Sequence, residues 1–359
     1  VSRRSCVRFT LRAVALTVLI GTGLGCASTA VPRVERTDVF GGLDNRPEAG
    51  PGMNILLVGT DGRETVTPYE KRVYRMGGIA CDCTDTMMLV HVSGNRDRVS
   101  VISLPRDSYA RIPAHRDRRD GRARPERAGK LNAAYQRGGP ALAVRTVERM
   151  TGVHIDRYLQ LGFRSFINTI DALGGVGICT TRHLKDPSTA LDLAPGTSEA
   201  KGSRALQYVR SRKVDGTADF GRIQRQQRFL VGVLRRMARD DTARDPSRMK
   251  ALVSALLGGA GQVRVDRGFT TAELLTLALQ LRDLPPAATE FATVPVSGFR
   301  KRVPGVGETL QWDTRKSRSI FAALRADEPL AAVSLDAPPP SAWHESEYAP
   351  VSGAALDCG

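Results

Sequence analysis

Between Tyr208 and Gln227 the chain reads YVRSRKVDGTADFGRIQRQQ, which sets four arginines, two aspartates and three glutamines between an apolar lead-in and an apolar helical pattern. Charge of both signs packed this densely is costly to leave unpaired. The stretch is therefore either a solvated basic loop or a site for a polyanion held with a divalent cation. The spacing favours the site. Arg210 and Arg212 lie two apart at the end of an apolar run starting at Ala205, so both guanidiniums can converge on one phosphate cluster if that run leaves a strand or helix toward one end. Asp219 stands just ahead of Arg222, Gln226 and the helically spaced Phe229, Leu230, Val233 and Leu234. That places the carboxylate near a helix start, with Arg222 and Gln226 one turn apart on one face. A helix N-terminus, arginines and a carboxylate together describe a phosphate site.

The elements that must position these groups can be read along the chain. Residues 54–59, NILLVG, fit a buried strand, and Thr60-Asp61-Gly62-Arg63 follows at its carboxyl end, where open α/β sheets place their ligands. A lone aspartate after a strand is by itself an ordinary cap or turn residue. Two further apolar runs, 87–92 and 98–104, are separated by a hairpin signal at 93–97. Asp85 opens the first and Arg106 ends the second, so in an antiparallel pair both lie at one edge of the sheet and can share a pocket. Residues 111–127 are strongly basic, contain proline and glycine, and read as an exposed loop with solvated charge. Lys130 opens a helix carrying Leu142, Val144, Val147 and Met150, and can reach a phosphate from there. A strand at 158–163, a helix at 166–173 and a strand at 176–179 follow, then a long loop at 182–203 that could wall a groove. Helices are expected at 228–239, 247–257 and 271–281, the last with Thr270 and Glu273 at capping-box spacing, then strands at 291–296 and 309–312 and a helix at 314–324.

The chain has 359 residues with 41% hydrophobic content, enough to bury a core, and its formal charge of +16 suits nucleic acid, an anionic membrane or an acidic wall polymer. Aromatics are only 5% and are nowhere interleaved with basic residues, and no helix-turn-helix pattern is visible, which argues against nucleic acid. Arg3, Arg4, Arg8 and Arg12 precede an apolar stretch at 13–25 and then Cys26-Ala-Ser, the layout of an export signal. Lipidation of Cys26 after the lipobox-like Gly23-Leu-Gly, and an uncleaved signal-anchor, both leave the rest of the chain outside the cytoplasm and close to its membrane. Residues 1–30 thus read as export or anchor segment, 31–52 as a proline-containing linker, 53–327 as the folded domain and 328–359 as an irregular tail. Outside the cytoplasm Cys81, Cys83, Cys179 and Cys358 are free to oxidise. Zinc would need more ligands than Cys81-Asp-Cys83 offers. Cys81 and Cys83 are too close for an easy mutual bridge, so one is expected to pair with Cys179 and the other with Cys358.

Taken in order, NILLVGTDGR (54–63), TDTMMLVHV (84–92), VISLPRDSY (101–109), KLNAAYQRGGP (130–140), DALGGVGI (171–178) and ALQYVRSRKVDGTADFGRIQRQQ (205–227) resemble the LytR-CpsA-Psr family, of actinobacterial type. The resemblance spans roughly residues 53 to 240. It implies an α/β fold, a mixed central β-sheet flanked by helices in a single catalytic domain. It also implies Mg2+-dependent transfer of a glycopolymer from a polyprenyl-pyrophosphate carrier to a hydroxyl of peptidoglycan. By motif, Asp85 and Asp219 would hold the metal with Asp61 as a further acidic partner. Arg63, Arg106, Lys130, Arg210, Arg212, Arg222 and Gln226 would bind the pyrophosphate, and Asp85, Arg106, Arg210 and Asp219 would carry the reaction. The family's first aspartate normally lies closer to the second than Asp61 does to Asp85, because 64–83 is lengthened here.

The chemistry agrees with the residues. Cleaving a pyrophosphate diester builds charge on the leaving lipid phosphate, which Mg2+ and planar arginine forks stabilise. Mg2+ prefers one or two carboxylates plus phosphate oxygens and water. Asp107 and Asp219 are the candidate bases for the attacking hydroxyl. The carrier's lipid tail needs an apolar groove, for which Ile167, Ile170, Leu173 and residues 229–234 are candidates. A pyrophosphatase acting on the same carriers would show the same residues, and a wall-polymer-binding or regulatory protein without catalysis is the non-enzymatic alternative.

Overall fold

The computed structural model describes residues 34–61, 66–73, 75, 83–214, 218–239, 245–257, 263–333 and 350–356. Residues from Pro32 onward make up one compact unit. The export segment, Arg63, Cys81 and Cys358 lie outside the described residues, and with them the expected anchor and the expected bridge to Cys358.

Antiparallel strands form the middle of the sheet, two of them joined by a tight turn at 93–98. β1 (Glu35–Thr37) and β2 (Met53–Thr60) precede β3 (Thr84–Val92) and β4 (Val99–Ser103). β2 and β3 pair antiparallel in a register that sets Leu56 opposite Leu89, Leu57 opposite Met88 and Val58 opposite Met87. Because successive side chains alternate across a sheet, Leu56, Val58, Met87 and Leu89 share one face and Leu57 and Met88 the other. Both faces are apolar, so both must be covered. The full sheet has eight strands in the order β1, Val263–Asp266, Arg157–Leu161, β2, β3, β4, Thr289–Thr293 and Val351–Ser352. It is mixed: β2 runs parallel to Arg157–Leu161, and β4 parallel to Thr289–Thr293, while the central pairs are antiparallel.

Among the described residues there are eight helices. α1 (Pro68–Val73) lies between β2 and β3. α2 (Leu131–Thr151) covers the first face with Leu131, Ala134, Tyr135, Ala143, Val144 and Val147, and it bends at Gly139, whose φ of 68° ahead of Pro140 breaks the helical ladder. α3 (Phe163–Ala172), α4 (Gly202–Arg210), α5 (Ala218–Arg239), α6 (Pro246–Leu257) and α7 (Thr271–Gln280) gather on the second face. α7 starts as its sequence predicts, with Thr270 Oγ1 accepting from the Glu273 amide at 3.0 Å. α8 (Thr314–Arg325) returns to the first face beside α2 through Ile320, Phe321 and Leu324. The result is the expected α-β-α arrangement of a mixed sheet between helix layers.

Four expectations about connecting segments need correction. Of the expected linker, residues 34–52 are held on the fold: β1 is an edge strand paired parallel to Val263–Asp266, Val39 is buried, and Arg46 ion-pairs at 2.7 Å with the buried Glu148. Three-residue strands carry no readable period, so contacts far along the chain decide this segment. Of the expected tail, residues 328–333 and 350–356 likewise pack on the fold, with Leu330 buried, its amide donating to Glu290, and Val351–Ser352 paired on Thr289–Thr293. Residues 111–127 form a twisted ribbon in which Tyr109–Ile112 pairs with Arg127–Lys130 and His115–Arg116 with Ala123–Arg124. Residues 182–203 are ribbons also: Leu184–Asp186 pairs with Leu191–Leu193, and Gly196–Ala200 with Val176–Thr180, which takes that strand out of the main sheet.

Candidate active site

At the end of the sheet where β2 stops and β3 starts, the expected charged residues come together. The Asp85 side chain ion-pairs with Arg106 Nη1 and lies 3.5 Å from Arg212 Nη2. Its backbone carbonyl accepts a 2.8 Å bond from Arg222 Nη2. Asp219, in the first turn of α5, lies 3.3 Å from Arg212 Nε. Arg222 Nη2 sits 2.9 Å from Asp219 Oδ1 and 3.0 Å from Oδ2 but donates only to Oδ2, so the buried Oδ1 has no hydrogen bond. Two carboxylates and three guanidiniums from four separate segments thus form one cluster, in which Arg212 touches both carboxylates. Gln226, one turn on from Arg222, donates to Thr86 Oγ1 at 2.9 Å and to the Val209 carbonyl at 3.1 Å, tying α5 to β3 and to the end of α4.

Burial works against charge on Asp85, yet Arg222, Arg106 and Arg212 together outweigh it and hold its carboxyl below the usual aspartate range. The same balance holds Arg106 above its ordinary value, burial being outweighed by Asp85, Asp219 and Asp107. Arg222 is different. It is only 3% exposed, and burial pushes its pKa down to about 10 despite Asp219 and Asp85, with Arg212 and Arg106 adding repulsion. A folded chain that keeps a buried, depressed arginine among like charges is relieved by any anion entering the cluster.

The cluster opens into a groove of about 760 Å³ between the second sheet face and α3 to α6. Leu57, Met88, Phe166, Ile170, Phe229 and Val233 line its apolar length, and Asp85, Arg210, Arg212, Arg222 and Gln226 line its charged part. Of the expected apolar residues, Ile170, Phe229, Leu230 and Val233 face this groove. Ile167 packs instead against Val66 and Leu206, and Leu173 in the core behind.

Other expected residues are placed less centrally. Arg210 ends α4 with its guanidinium 4.7 Å above the ring of Phe163, a cation–π seat at the groove wall. Lys130 reaches Asp107 at 3.1 Å, and Asp107 lies 3.8 Å from Arg106 Nε, so Lys130 is one residue removed from the cluster. Asp61 is buried beyond the end of β2, where its amide donates to the Cys83 carbonyl at 3.1 Å beside the start of β3.

Sequence reasoning missed the scaffold under the arginines. Asp186 Oδ2 accepts the amides of Arg212 and Lys213 at 2.8 and 3.1 Å, and its Oδ1 accepts that of Ser188 at 2.8 Å. Arg225 Nη2 donates to the Ser211 carbonyl at 2.5 Å, and Thr189 Oγ1 meets Ser211 Oγ at 2.8 Å. The backbone between Arg210 and Lys213 is therefore gripped from two sides. The Asp186-Pro-Ser-Thr turn pattern was the available signal.

The described residues contain no group of three or more metal-ligating side chains, so they offer no all-protein cage. Asp85 and Asp219 in one cluster, with Asp219 Oδ1 lacking a hydrogen bond, match the partial shell that Mg2+ takes when phosphate oxygens and water complete it.

Comparison with known proteins shows what the chain is similar to. The model of the LytR_cpsA_psr family matches residues 30–325. A probable cell wall biosynthesis protein LcpB of Corynebacterium glutamicum is 32% identical over 290 residues, covering 78% of this chain and 65% of that protein. A polyisoprenyl-teichoic acid–peptidoglycan teichoic acid transferase TagU of Bacillus cereus is 31% identical, covering 52% of this chain and 53% of its own length. This chain thus spans under two thirds of either relative. Among solved structures, a LytR-Csp2A-Psr enzyme from Actinomyces oris superposes with a TM-score of 0.58 at 20% identity, over 82% of this chain and 96% of that one, which shows the shared fold.

Proposed function

This chain belongs to the LytR-CpsA-Psr family, and on that premise we propose that it is a transferase moving a glycopolymer from a polyprenyl-pyrophosphate carrier to a hydroxyl of peptidoglycan. One observation carries the reading: a cluster of three arginines and two aspartates sits at the charged part of an apolar groove of about 760 Å³. A substrate matching both halves has a polyanionic head on a long apolar tail. TagU, named for polyisoprenyl-linked teichoic acid and peptidoglycan, supports the same assignment.

In this reading Arg106, Arg210, Arg212, Arg222 and Gln226 hold the pyrophosphate, with Lys130 as an outer contact and Arg63 assigned to it by motif alone. The carrier's tail lies along Ile170, Phe229 and Val233. An acceptor hydroxyl attacks the phosphorus that bears the glycan, forming a new P–O bond. The P–O bond to the carrier's phosphate breaks, and polyprenyl phosphate leaves with the electron pair. The hydroxyl proton passes to a carboxylate, Asp219 or Asp107. Asp219 Oδ1 is without a hydrogen bond, whereas Asp107 is engaged by Lys130 at 3.1 Å. Charge that builds on the leaving phosphate meets the arginine forks, which are already fixed in place by Asp85, Asp219 and the Asp186 turn. Asp85 and Asp219 would hold Mg2+, with Asp61 as a further acidic partner, and the ion would neutralise phosphate charge when bound.

The reaction requires the domain to lie on the outer side of the cytoplasmic membrane. Cys83 and Cys179, both disulfide-bonded, suit that oxidising side.

Mass spectrometry of the purified protein tests the reading. A polyprenyl phosphate or pyrophosphate is expected to co-purify with the wild type and to be lost from Arg210→Ala combined with Arg212→Ala. Carrier absent from both, in folded protein given Mg2+ and added carrier, would shift the assignment to a polymer-binding protein. Products formed with and without a glycan acceptor separate transfer from hydrolysis.

A further inference from the structure

Among the described residues only two large apolar side chains are exposed, Tyr69 at 67% and Val73 at 43%, and both belong to α1. Four residues apart, they share one face of a short helix. α1 is fixed in place. Val66, just ahead of it, is buried against Ile167 of α3 and Leu206 of α4. Glu70 ion-pairs at 2.5 Å with Arg164 of α3, and it closes a reciprocal cap with Thr67, whose amide donates to Glu70 Oε2 at 2.8 Å while Thr67 Oγ1 accepts from the Glu70 amide at 3.2 Å. The helix is thereby attached to the α3 and α4 wall of the groove with its apolar pair turned to solvent.

The charges around that pair define what it meets. Lys71 and Arg72 are exposed and enter no ion pair among the described residues, and the exposed Arg75 beyond them lines the groove. An aromatic and an aliphatic side chain presented beside three cations match the boundary of an anionic bilayer. Tyrosine favours the headgroup level, a short aliphatic chain the acyl boundary, and lysine and arginine the lipid phosphates. One helical turn is too small for a stable protein interface, whereas a membrane accepts a patch of any size.

We propose that α1 is a membrane contact of the folded unit, separate from the N-terminal segment, which seats the groove on an anionic phospholipid surface. A lipid-borne donor would then move from bilayer to groove without its tail crossing water. That consequence rests on the function proposed above; the contact itself does not.

The test reads residue 69 locally, so attachment through the N-terminal segment does not imitate it. Tyr69→Trp in the full chain is mixed with vesicles of phosphatidylglycerol and phosphatidylcholine in equal parts, with brominated or ordinary acyl chains, and wild-type emission is subtracted to remove Trp312 and Trp343. Brominated lipid is expected to quench the indole introduced at position 69 roughly two-fold or more, and to leave Arg119→Trp, on the exposed ribbon, unquenched. Equal quenching at 69 and 119, or none at 69, overturns the contact. Adding Lys71→Gln and Arg72→Gln is expected to lower the quenching severalfold. Undiminished quenching, or the same quenching on phosphatidylcholine alone, overturns the anionic specificity. In transfer assays Tyr69→Ser with Val73→Ser should lose rate severalfold on vesicle-borne donor and keep it on a water-soluble short-chain donor. A wild type inactive on both donors would sink the functional reading while the quenching result stood.

Discussion

The β3–β4 pair carries a charged cluster at each end, and the two are built in opposite ways. At the turn end, His91 is 1% exposed with Nδ1 2.8 Å from Asn54 Oδ1 and Nε2 2.9 Å from Asp327 Oδ1. Arg98 Nη2 donates to the same Asp327 oxygen at 2.9 Å, and the Gly94 amide donates to the other at 2.8 Å. Glu290 accepts from Ser100 and from the amides of Leu330 and Ala331. Every carboxylate oxygen there has a donor, and the loose ends are on arginines alone, Arg98 Nε, 3.7 Å from Glu290, and Arg96 Nη1 in the turn. At the groove end, Asp219 Oδ1, Arg106 Nε and Arg222 Nε are all buried without hydrogen bonds, and three arginines face two carboxylates. A closed network holds a fold together, while an under-satisfied one with excess positive charge is poised for a ligand.

The sharpest way to break this contrast is to remove one carboxylate from each end. Asp85→Asn should lower the transfer rate by about 10²- to 10³-fold, the usual cost of losing one preorganised electrostatic group, with the fold retained by circular dichroism. Asp327→Ala should act the other way round. It strips a partner from His91, Arg98 and Gly94 together and should cost about 3 kcal/mol in urea unfolding, with activity per folded molecule unchanged. An Asp327 variant that melts normally but is inactive would mean that the two ends are not divided between structure and chemistry.

Acidification should touch the closed end first. Burial foremost, then Arg98, pushes the His91 pKa below its ordinary 6.5, against the pull of Asp327 and Asp156. Below pH 6.5 the unfolded chain takes up a proton that folded His91 still refuses, so stability is full above that pH and falls as the pH drops toward the lowered folded value. The slope can be no steeper than about 1.4 kcal/mol per pH unit for one proton. Urea melts between pH 7 and pH 5, on the order of one melt per half unit, should show this slope in the wild type and not in His91→Gln. Asp327 and Asp85, both held below the usual aspartate range, extend the loss at lower pH.

The groove end was legible in the sequence because its residues sit at strand and helix boundaries. Asp85 opens β3, Arg106 follows β4, Asp219 and Arg222 start α5, and in each case the apolar period beside them fixes where the polar residue must project. The closed end was not legible. His91, Asn54, Glu290 and Asp327 are single polar residues within apolar strands or just past a helix, 37 to 236 residues apart where they touch, and no local pattern joins them. The same applies to Asp186 under Arg212, and to β1 and Arg46, where a proline-containing stretch read as linker is held by partners far along the chain, Val263–Asp266 and the buried Glu148.

The smallest predicted effect is also the one that separates the two ends most cleanly. Arg222 makes hydrogen bonds to the Asp85 carbonyl and to Asp219, so by contacts alone it resembles the strut Arg98. Its pKa, pushed down to about 10 chiefly by burial, says that the folded state holds this charge at a loss. Arg222→Met keeps most of the length and apolar stem and removes the charge, while Asp219 retains Arg212 at 3.3 Å. The substitution should therefore stabilise the chain, by about 1 kcal/mol or ~2 °C in Tm, while abolishing retention of the polyprenyl carrier. An Arg98→Met variant should lose stability instead, because Asp327 would remain half-buried with the Arg98 donor to its Oδ1 and carbonyl missing and Glu290 would lose the cation 3.7 Å away. If Arg222→Met melts lower by as much as Arg98→Met, the buried arginine at the groove is a structural strut after all, and its strain is not held in reserve for an anion.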